Sequence, residues 1–154
     1  MADIVDVATR SRMMRAVRSK DTEPEIRVRQ LLHKRGLRFR LHDKSLPGKP
    51  DLVFPRFRGA VFVHGCFWHG HDCSLFKMPG TRLAFWCQKF NQNQARDGRV
   101  TTQLLSAGWR VAVVWECALK GRGRMAEAEM ADTLAAWLSG EDATVVLRER
   151  NAAK

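Results

Sequence analysis

Val61-Phe62-Val63-His64-Gly65-Cys66-Phe67-Trp68-His69-Gly70-His71-Asp72-Cys73 is the stretch on which the reading of this chain turns. Residues 60–63 form an apolar run of strand length, and directly behind it stand three of the five histidines, two of the four cysteines and an adjacent aromatic pair. Chemistry is therefore expected at the C-terminal end of a short buried strand. Cys66, His71 and Cys73 offer two soft thiolates and an imidazole in one loop, which suits a tetrahedral zinc ion with a fourth ligand from elsewhere. His64 and His69 are not needed by that metal. Two spare imidazoles beside Phe67 and Trp68, expected to be exposed, in a basic chain, point to a reacting group held against something flat, such as stacked bases.

The same pattern extends outward on both sides. Leu46-Pro47-Gly48-Lys49-Pro50 is a turn that delivers Asp51 to Leu52-Val53-Phe54, and residues 55–59 turn the chain back, so 52–54 and 60–63 are expected as an antiparallel pair. Thr22-Glu23-Pro24-Glu25 fits a helix start, with Thr22 as N-cap and Glu25 at the capping-box position; Val28, Leu31 and Leu32 give an apolar face and Gly36 a stop. Taken alone, Glu25 reads as a cap and Asp51 as turn chemistry. Residues 37–41 alternate as a half-exposed strand with a basic face. Residues 81–107 read as a long helix with Phe85, Phe90, Leu104 and Leu105 as core, and residues 111–115 as another strand, followed by Cys117. Residues 126–138 form an amphipathic helix through Met130, Leu134, Trp137 and Leu138, and 141–154 read as a weak strand or a tail.

A chain of 154 residues with 45% hydrophobic content falls in the range of one domain with a real core. Its net charge of +11 is concentrated: residues 1–124 hold 24 Lys and Arg against 10 Asp and Glu, and residues 125–154 hold 3 against 6. That excess implies a polyanionic partner bound through phosphates. Residues 9–20 alternate basic groups with Met13, Met14, Ala16 and Val17, as in an arm that orders on a nucleic acid or a solvated, frayed helix. There is no signal-like N-terminus and no membrane-spanning stretch, so an intracellular protein with reduced cysteines is expected.

An acid on a helix, a Pro-Asp entering one strand and a polar residue ending the next form the skeleton of the metal-dependent nuclease cores, in which Mg²⁺ neutralises the phosphate and activates water. Such cores usually carry a lysine where this strand ends in His64. With Ala8-Thr9-Arg10-Ser11, Met14-Arg15, Leu46-Pro47-Gly48, Pro50-Asp51, His64-Gly65-Cys66-Phe67-Trp68-His69, His71, Cys73, Phe85-Trp86, Lys89, Arg96-Asp97, Gly108-Trp109-Arg110 and Val114-Trp115-Glu116-Cys117-Ala118-Leu119, the chain resembles the very-short-patch repair endonucleases. These bacterial enzymes nick DNA beside the T of a T·G mismatch left by deamination of 5-methylcytosine.

The resemblance implies an α/β, restriction-endonuclease-like core, a small mixed sheet flanked by helices with a structural zinc site. It divides the chain into a DNA-contacting arm (1–20), the endonuclease domain (21–140) and a tail (141–154). Asp51 and the backbone carbonyl of Val63, where the family often has threonine, would hold Mg²⁺, with Glu25 acting through water. His69, oriented by Asp97, would be the general base, and His64 would lie against the scissile phosphate. Cys66, His71, Cys73 and Cys117 would bind Zn²⁺, with Asp72 and Cys87 as rival fourth ligands. Phe67, Trp68 and Trp86 would insert at the mismatch, and Met14 and Lys89 would touch it or its neighbours; for Trp86 alone, core packing is the competing reading. Double-stranded T·G DNA is the implied substrate of a cytoplasmic monomer, with a mismatch-repair protein and a methyltransferase as cellular partners. A nuclease of this fold with another target, and a zinc DNA-binding module without catalysis, remain as alternatives.

Overall fold

A computed structural model of the chain describes residues 21–150, so the basic arm, Met14 included, lies outside the described residues. The described elements are α1 (Glu23–Lys34), β1 (Arg40–Leu41), β2 (Leu52–Phe54), β3 (Gly59–His64), α2 (Leu83–Ser106), β4 (Arg110–Trp115), α3 (Glu127–Ser139) and β5 (Thr144–Leu147). The strands form one mixed sheet in the order β1-β2-β3-β4-β5, antiparallel across β1, β2 and β3 and parallel from β3 to β5. Parallel neighbours need a crossover, which α2 supplies between β3 and β4 and α3 between β4 and β5.

Side-chain parity along the strands assigns each face its helices. Val61, Val63, Ala112 and Val114 point to one side, where Val28 and Leu32 of α1 and Met130, Leu134, Trp137 and Leu138 of α3 complete a core. Ala60, Phe62 and Val111 point to the other, against Leu104 of α2. The central strands are thus buried on both faces, which explains their unbroken apolar runs. His64 and Trp115 end β3 and β4 directly opposite one another in the register. They share the parity of Phe62 and Val113, so both emerge on the side that α2 covers.

Local chemistry fixes the ends. Thr22 caps α1, accepting the Glu25 N–H at 3.5 Å, while the Glu25 carboxylate reaches past the cap to the Asp21 N–H at 2.9 Å. Arg110 closes the C-terminal end of α3, donating to the carbonyls of Trp137 and Leu138 at 2.7 Å each.

Two expectations are corrected. The strand expected over 37–41 is paired only at Arg40–Leu41; Leu37 and Phe39 turn instead toward the core beside α1, because β2 is three residues long and offers no longer ladder. Of the four core residues expected on α2, Phe90 and Leu104 are buried, whereas Phe85 and Leu105 are exposed, since this 24-residue helix has more apolar surface than the sheet can cover. Residues 144–147, read as a weak strand or a tail, form the edge strand β5 beside β4. No described helix is long and apolar enough to cross a membrane.

Candidate active site and metal centre

Beyond His64 the chain leaves the sheet and is held from above by α2. Asn93 donates its side-chain amide to the carbonyl of Trp68 at 2.6 Å, and Gln94 to that of His69 at 2.7 Å, so one turn of α2 fixes the backbone on both sides of the His69 ring. Gly70 makes this approach possible: its φ is +58°, and a Cβ there would lie 3.0 Å from Cβ of Phe90. The loop also closes on itself, the His71 N–H donating to the Cys66 carbonyl at 3.0 Å.

One turn after Asn93, Asp97 meets His69. Its Oδ2 lies 2.5 Å from His69 Nδ1. A carboxylate there makes Nδ1 the donor and leaves Nε2 free to accept a proton. The His64 ring stacks on that of His69, centroids 4.0 Å apart at 12°, and Trp115 stands edge-on to both at 5.1 and 5.6 Å. Burial, assisted by His69, pushes the His64 pKa down to about 3, so His64 is neutral. Its Nδ1 is buried with no hydrogen-bond partner among the described residues.

On the neighbouring strand pair, Asp51 Oδ2 accepts the N–H of Val63 at 2.7 Å. Burial raises the Asp51 pKa to about 7, against the Val63 hydrogen bond; Glu25 adds to the rise and Arg29 opposes it. A buried acid held partly protonated beside a second buried acid is a site that a cation would ionise, and the chemistry of this donor set fits Mg²⁺. Glu25, buried on α1, is joined to Asp51 through His42, whose Nε2 is 3.6 Å from Glu25 Oε1 and whose Nδ1 is 3.8 Å from Asp51 Oδ1.

Behind this loop, Cys66, His71, Cys73 and Cys117 bring four ligand atoms within 4.8 Å of one another. A zinc tetrahedron with bonds of about 2.3 Å has edges of about 3.8 Å, so this donor set fits that ion. The backbone is already arranged for thiolates: Cys117 N–H points at Cys66 Sγ and Glu149 N–H at Cys117 Sγ, each at 3.3 Å. Cys117 is the fourth member of the cluster. Asp72 is drawn away by Arg148 at 3.0 Å, and Cys87 is exposed on α2. The His71 ring lies flat on Trp115, 3.8 Å between centroids, so one indole touches the Cys–His cluster and the imidazole pair.

Phe67 and Trp68, expected to be exposed, are half-buried because they pack with Trp86, which is itself buried at 7% exposure among Phe67, Trp68, Phe85 and Phe90. Lys89 is exposed on α2. Of the residues expected to act together, the structure joins His69 to Asp97 with His64 stacked alongside and gathers the four cluster residues, whereas Asp51 contacts Val63 on the neighbouring strand pair. Sequence reasoning missed Arg29, His42 and Trp115, and gave no role to Asn93 or Gln94. In the sequence these are ordinary polar helix positions, a loop histidine and a strand aromatic, and no spacing marks them.

An imidazole pair oriented by a carboxylate at the end of a buried strand is the equipment of a hydrolase that works by general base catalysis. The chain belongs to the Vsr family: residues 2–75 match the family described as DNA mismatch endonuclease Vsr, and one relative of that description matches nearly the whole length. It is 49% identical over 144 residues to the DNA mismatch endonuclease Vsr of Escherichia coli (strain K12), covering 94% of this chain and 92% of that one. It is 52% identical over 125 residues to the type II nicking enzyme V.XorIIP of Xanthomonas oryzae pv. oryzae, 81% of this chain and 92% of that one. To V.NmeAIP, a type II nicking enzyme of Neisseria meningitidis serogroup A, it is 43% identical over 122 residues, 79% and 87%.

Proposed function

We propose that this protein is a Mg²⁺-dependent DNA endonuclease with a restriction-endonuclease-like core that nicks one strand beside the T of a T·G mismatch and so initiates very-short-patch repair. The observation that carries the reading is the His69–Asp97 contact of 2.5 Å with His64 stacked on it at the end of β3. A DNA-binding module has no use for an imidazole whose proton-accepting nitrogen is kept free by a carboxylate.

His69 Nε2 takes the proton of the attacking water as its oxygen bonds to phosphorus, and the bond from phosphorus to the leaving sugar oxygen breaks. Asp97 holds the imidazole in that tautomer and stabilises the imidazolium that results. His64, neutral, would lie against the scissile phosphate and offer its ring N–H to a phosphate oxygen. Asp51 and the Val63 carbonyl would hold Mg²⁺, with Glu25 reaching it through water; when bound, the ion supplies charge neutralisation on the phosphate and eases deprotonation of the water. Valine at position 63 loses a hydroxyl but not the carbonyl.

Cys66, His71, Cys73 and Cys117 would hold structural Zn²⁺, pinning the catalytic loop to the end of β4. Phe67, Trp68 and Trp86 would open the base step. Their packed cluster must rearrange to do so, a cost better met at a mismatched pair, where unstacking takes less energy. Lys89 and Met14 would touch the mismatch or its neighbours. One active centre suffices for a nick, which fits a monomer, and a mismatch-repair protein would act with it. The test is nicking of duplexes that differ in one T·G or T·A pair, with Mg²⁺ or with Mg²⁺ withheld. Cutting only the T-strand of the mismatch, with the ion, supports the reading; equal cutting of both points to another target, and retention without cutting to a binding module.

A further inference from the structure

Residues 148–150 follow β5, and the nicking reaction gives them no part. Leu147 ends β5 buried and paired with Val114, so the chain runs on beside the turn that carries Cys117. Arg148 donates from Nη1 to Asp72 Oδ1 at 3.0 Å and from Nη2 to the Asp72 carbonyl at 2.7 Å. Glu149 accepts both donors of Ser74, the hydroxyl on Oε1 at 2.5 Å and the backbone N–H on Oε2 at 3.0 Å. Asp72 and Ser74 are the chain neighbours of Cys73. The Glu149 N–H meanwhile points at Cys117 Sγ at 3.3 Å, so one short segment engages the cluster at two of its four residues.

The far end of the segment is anchored as well. The Arg150 N–H donates to the Gly123 carbonyl at 2.7 Å, and the Arg150 side chain pairs with Glu129 of α3. Gly123 permits this approach, because a Cβ there would stand 3.0 Å from the Arg150 carbonyl oxygen. Of the four cluster residues, Cys66, His71 and Cys117 are buried, whereas Cys73 is half-buried. Cys73 is therefore the corner at which water or a competing ligand reaches an ion in the cluster. The contacts of Arg148 and Glu149 fall on either side of it.

We propose that residues 148–150 form a clasp that closes the cluster at Cys73 and sets how long the protein keeps its zinc, with Arg148 and Glu149 as positioning residues. The inference rests on Cys66, His71, Cys73 and Cys117 as the Zn²⁺ ligands. A tetrahedral ion departs by letting go of one ligand first, and the ligand with room to swing into solvent is Cys73. Cys73 can swing only when its neighbours leave Arg148 and Glu149. Groups one contact beyond the ligands govern metal affinity by about 10–100-fold.

Zinc-loaded full-length protein mixed with an excess of a chromogenic pyridylazo chelator reports the release rate as colour. Glu149→Ala and Arg148→Ala should each release zinc about 10–100-fold faster than wild type. Glu149→Gln, whose amide oxygen can still accept from Ser74, should fall between. Ser74→Ala combined with Glu149→Ala should release zinc no faster than Glu149→Ala, because both changes remove the same contact; independent losses of stability would multiply. Asp72→Ala alters a side chain that is 87% exposed, so the fold tolerates it, and release should again speed up. Glu127→Ala, which gives up the ion pair with Arg27 at 2.9 Å, should release zinc at the wild-type rate. Multiplying rates in the double variant, or equal acceleration in Glu127→Ala, overturns the proposal. Stoichiometric zinc in wild type with release unchanged in Glu149→Ala, Arg148→Ala and Asp72→Ala overturns this inference alone, whereas wild type without zinc overturns the Zn²⁺ assignment with it.

Discussion

Replacing Asp51 by asparagine should stabilise the magnesium-free protein while abolishing nicking. In the fold the Asp51 carboxyl has its pKa raised from 3.8 to about 7 by burial. Between those values the folded chain keeps a proton that the unfolded chain has released, so the unfolded state binds fewer protons and stability falls as pH rises. The loss begins near pH 4 and is complete above pH 7. At 1.36 kcal/mol per pH unit, a carboxyl moved from 3.8 to about 7 costs about 4 kcal/mol once it is ionised in the fold. Asparagine carries no such liability and its amide oxygen can keep the Val63 hydrogen bond. At pH 8 the variant should therefore melt about 10 °C above wild type, using 2–4 °C per kcal/mol for a domain of this size, and at pH 4 the two should nearly coincide. Thermal denaturation of zinc-loaded protein in magnesium-free buffer across that range is the assay. Millimolar Mg²⁺ should raise the wild-type melting temperature at pH 8 and leave the variant unmoved. A constant gap between the two proteins from pH 4 to 8 would refute the reasoning, because the penalty would then not come from ionising Asp51.

Asp97→Asn keeps a hydrogen-bonding group at His69 but removes the negative charge that holds the tautomer; single-turnover nicking should fall by about 10²–10⁴-fold, with DNA affinity within a few-fold of wild type in gel-shift titration. Cys73→Ala removes one of four clustered ligand atoms and should yield protein without stoichiometric zinc that loses solubility; normal folding with a melting temperature equal to wild type would count against a structural ion there. Gly70→Ala places a Cβ 3.0 Å from Phe90 at a backbone φ of +58°, so chemical denaturation should show a loss of about 1–3 kcal/mol, and nicking should drop because Gln94 can no longer hold the His69 carbonyl. Trp68→Ala should narrow the preference for T·G over T·A duplexes in nicking assays while leaving zinc content intact, and an unchanged preference would remove Trp68 from mismatch recognition.

What the sequence disclosed follows from the range over which each feature is encoded. The β2–β3 pair and the strand that ends at Trp115 were legible because a strand buried on both faces writes itself as an apolar run of the right length. The helix starting at Glu23 was legible because Thr22 and Glu25 sit three residues apart. The site was legible where it lies in one loop: Cys66, His71 and Cys73 need only local spacing, and Cys117 follows a strand whose register sets it against them. Phe85 and Leu105 misled because periodicity reveals an apolar face of α2 but not how much sheet lies beneath it.

The residues that were not legible owe their roles to contacts formed only in the fold. Trp115 is an unremarkable end to a strand until the sheet register sets it opposite His64 and the loop lays His71 on its face. Arg29 reads as the polar side of an amphipathic helix and His42 as a turn residue, yet one guanidinium nitrogen binds Asp21 eight positions before it and His42 thirteen after it. Glu25 is the instructive intermediate, because its capping role and its place near Asp51 are consequences of the same geometry: a side chain that must reach back over the first turn of α1 is directed toward the strand entrance where Asp51 lies. A capping signature in the sequence and the proposed role in the site therefore do not compete; both fall on the same carboxylate.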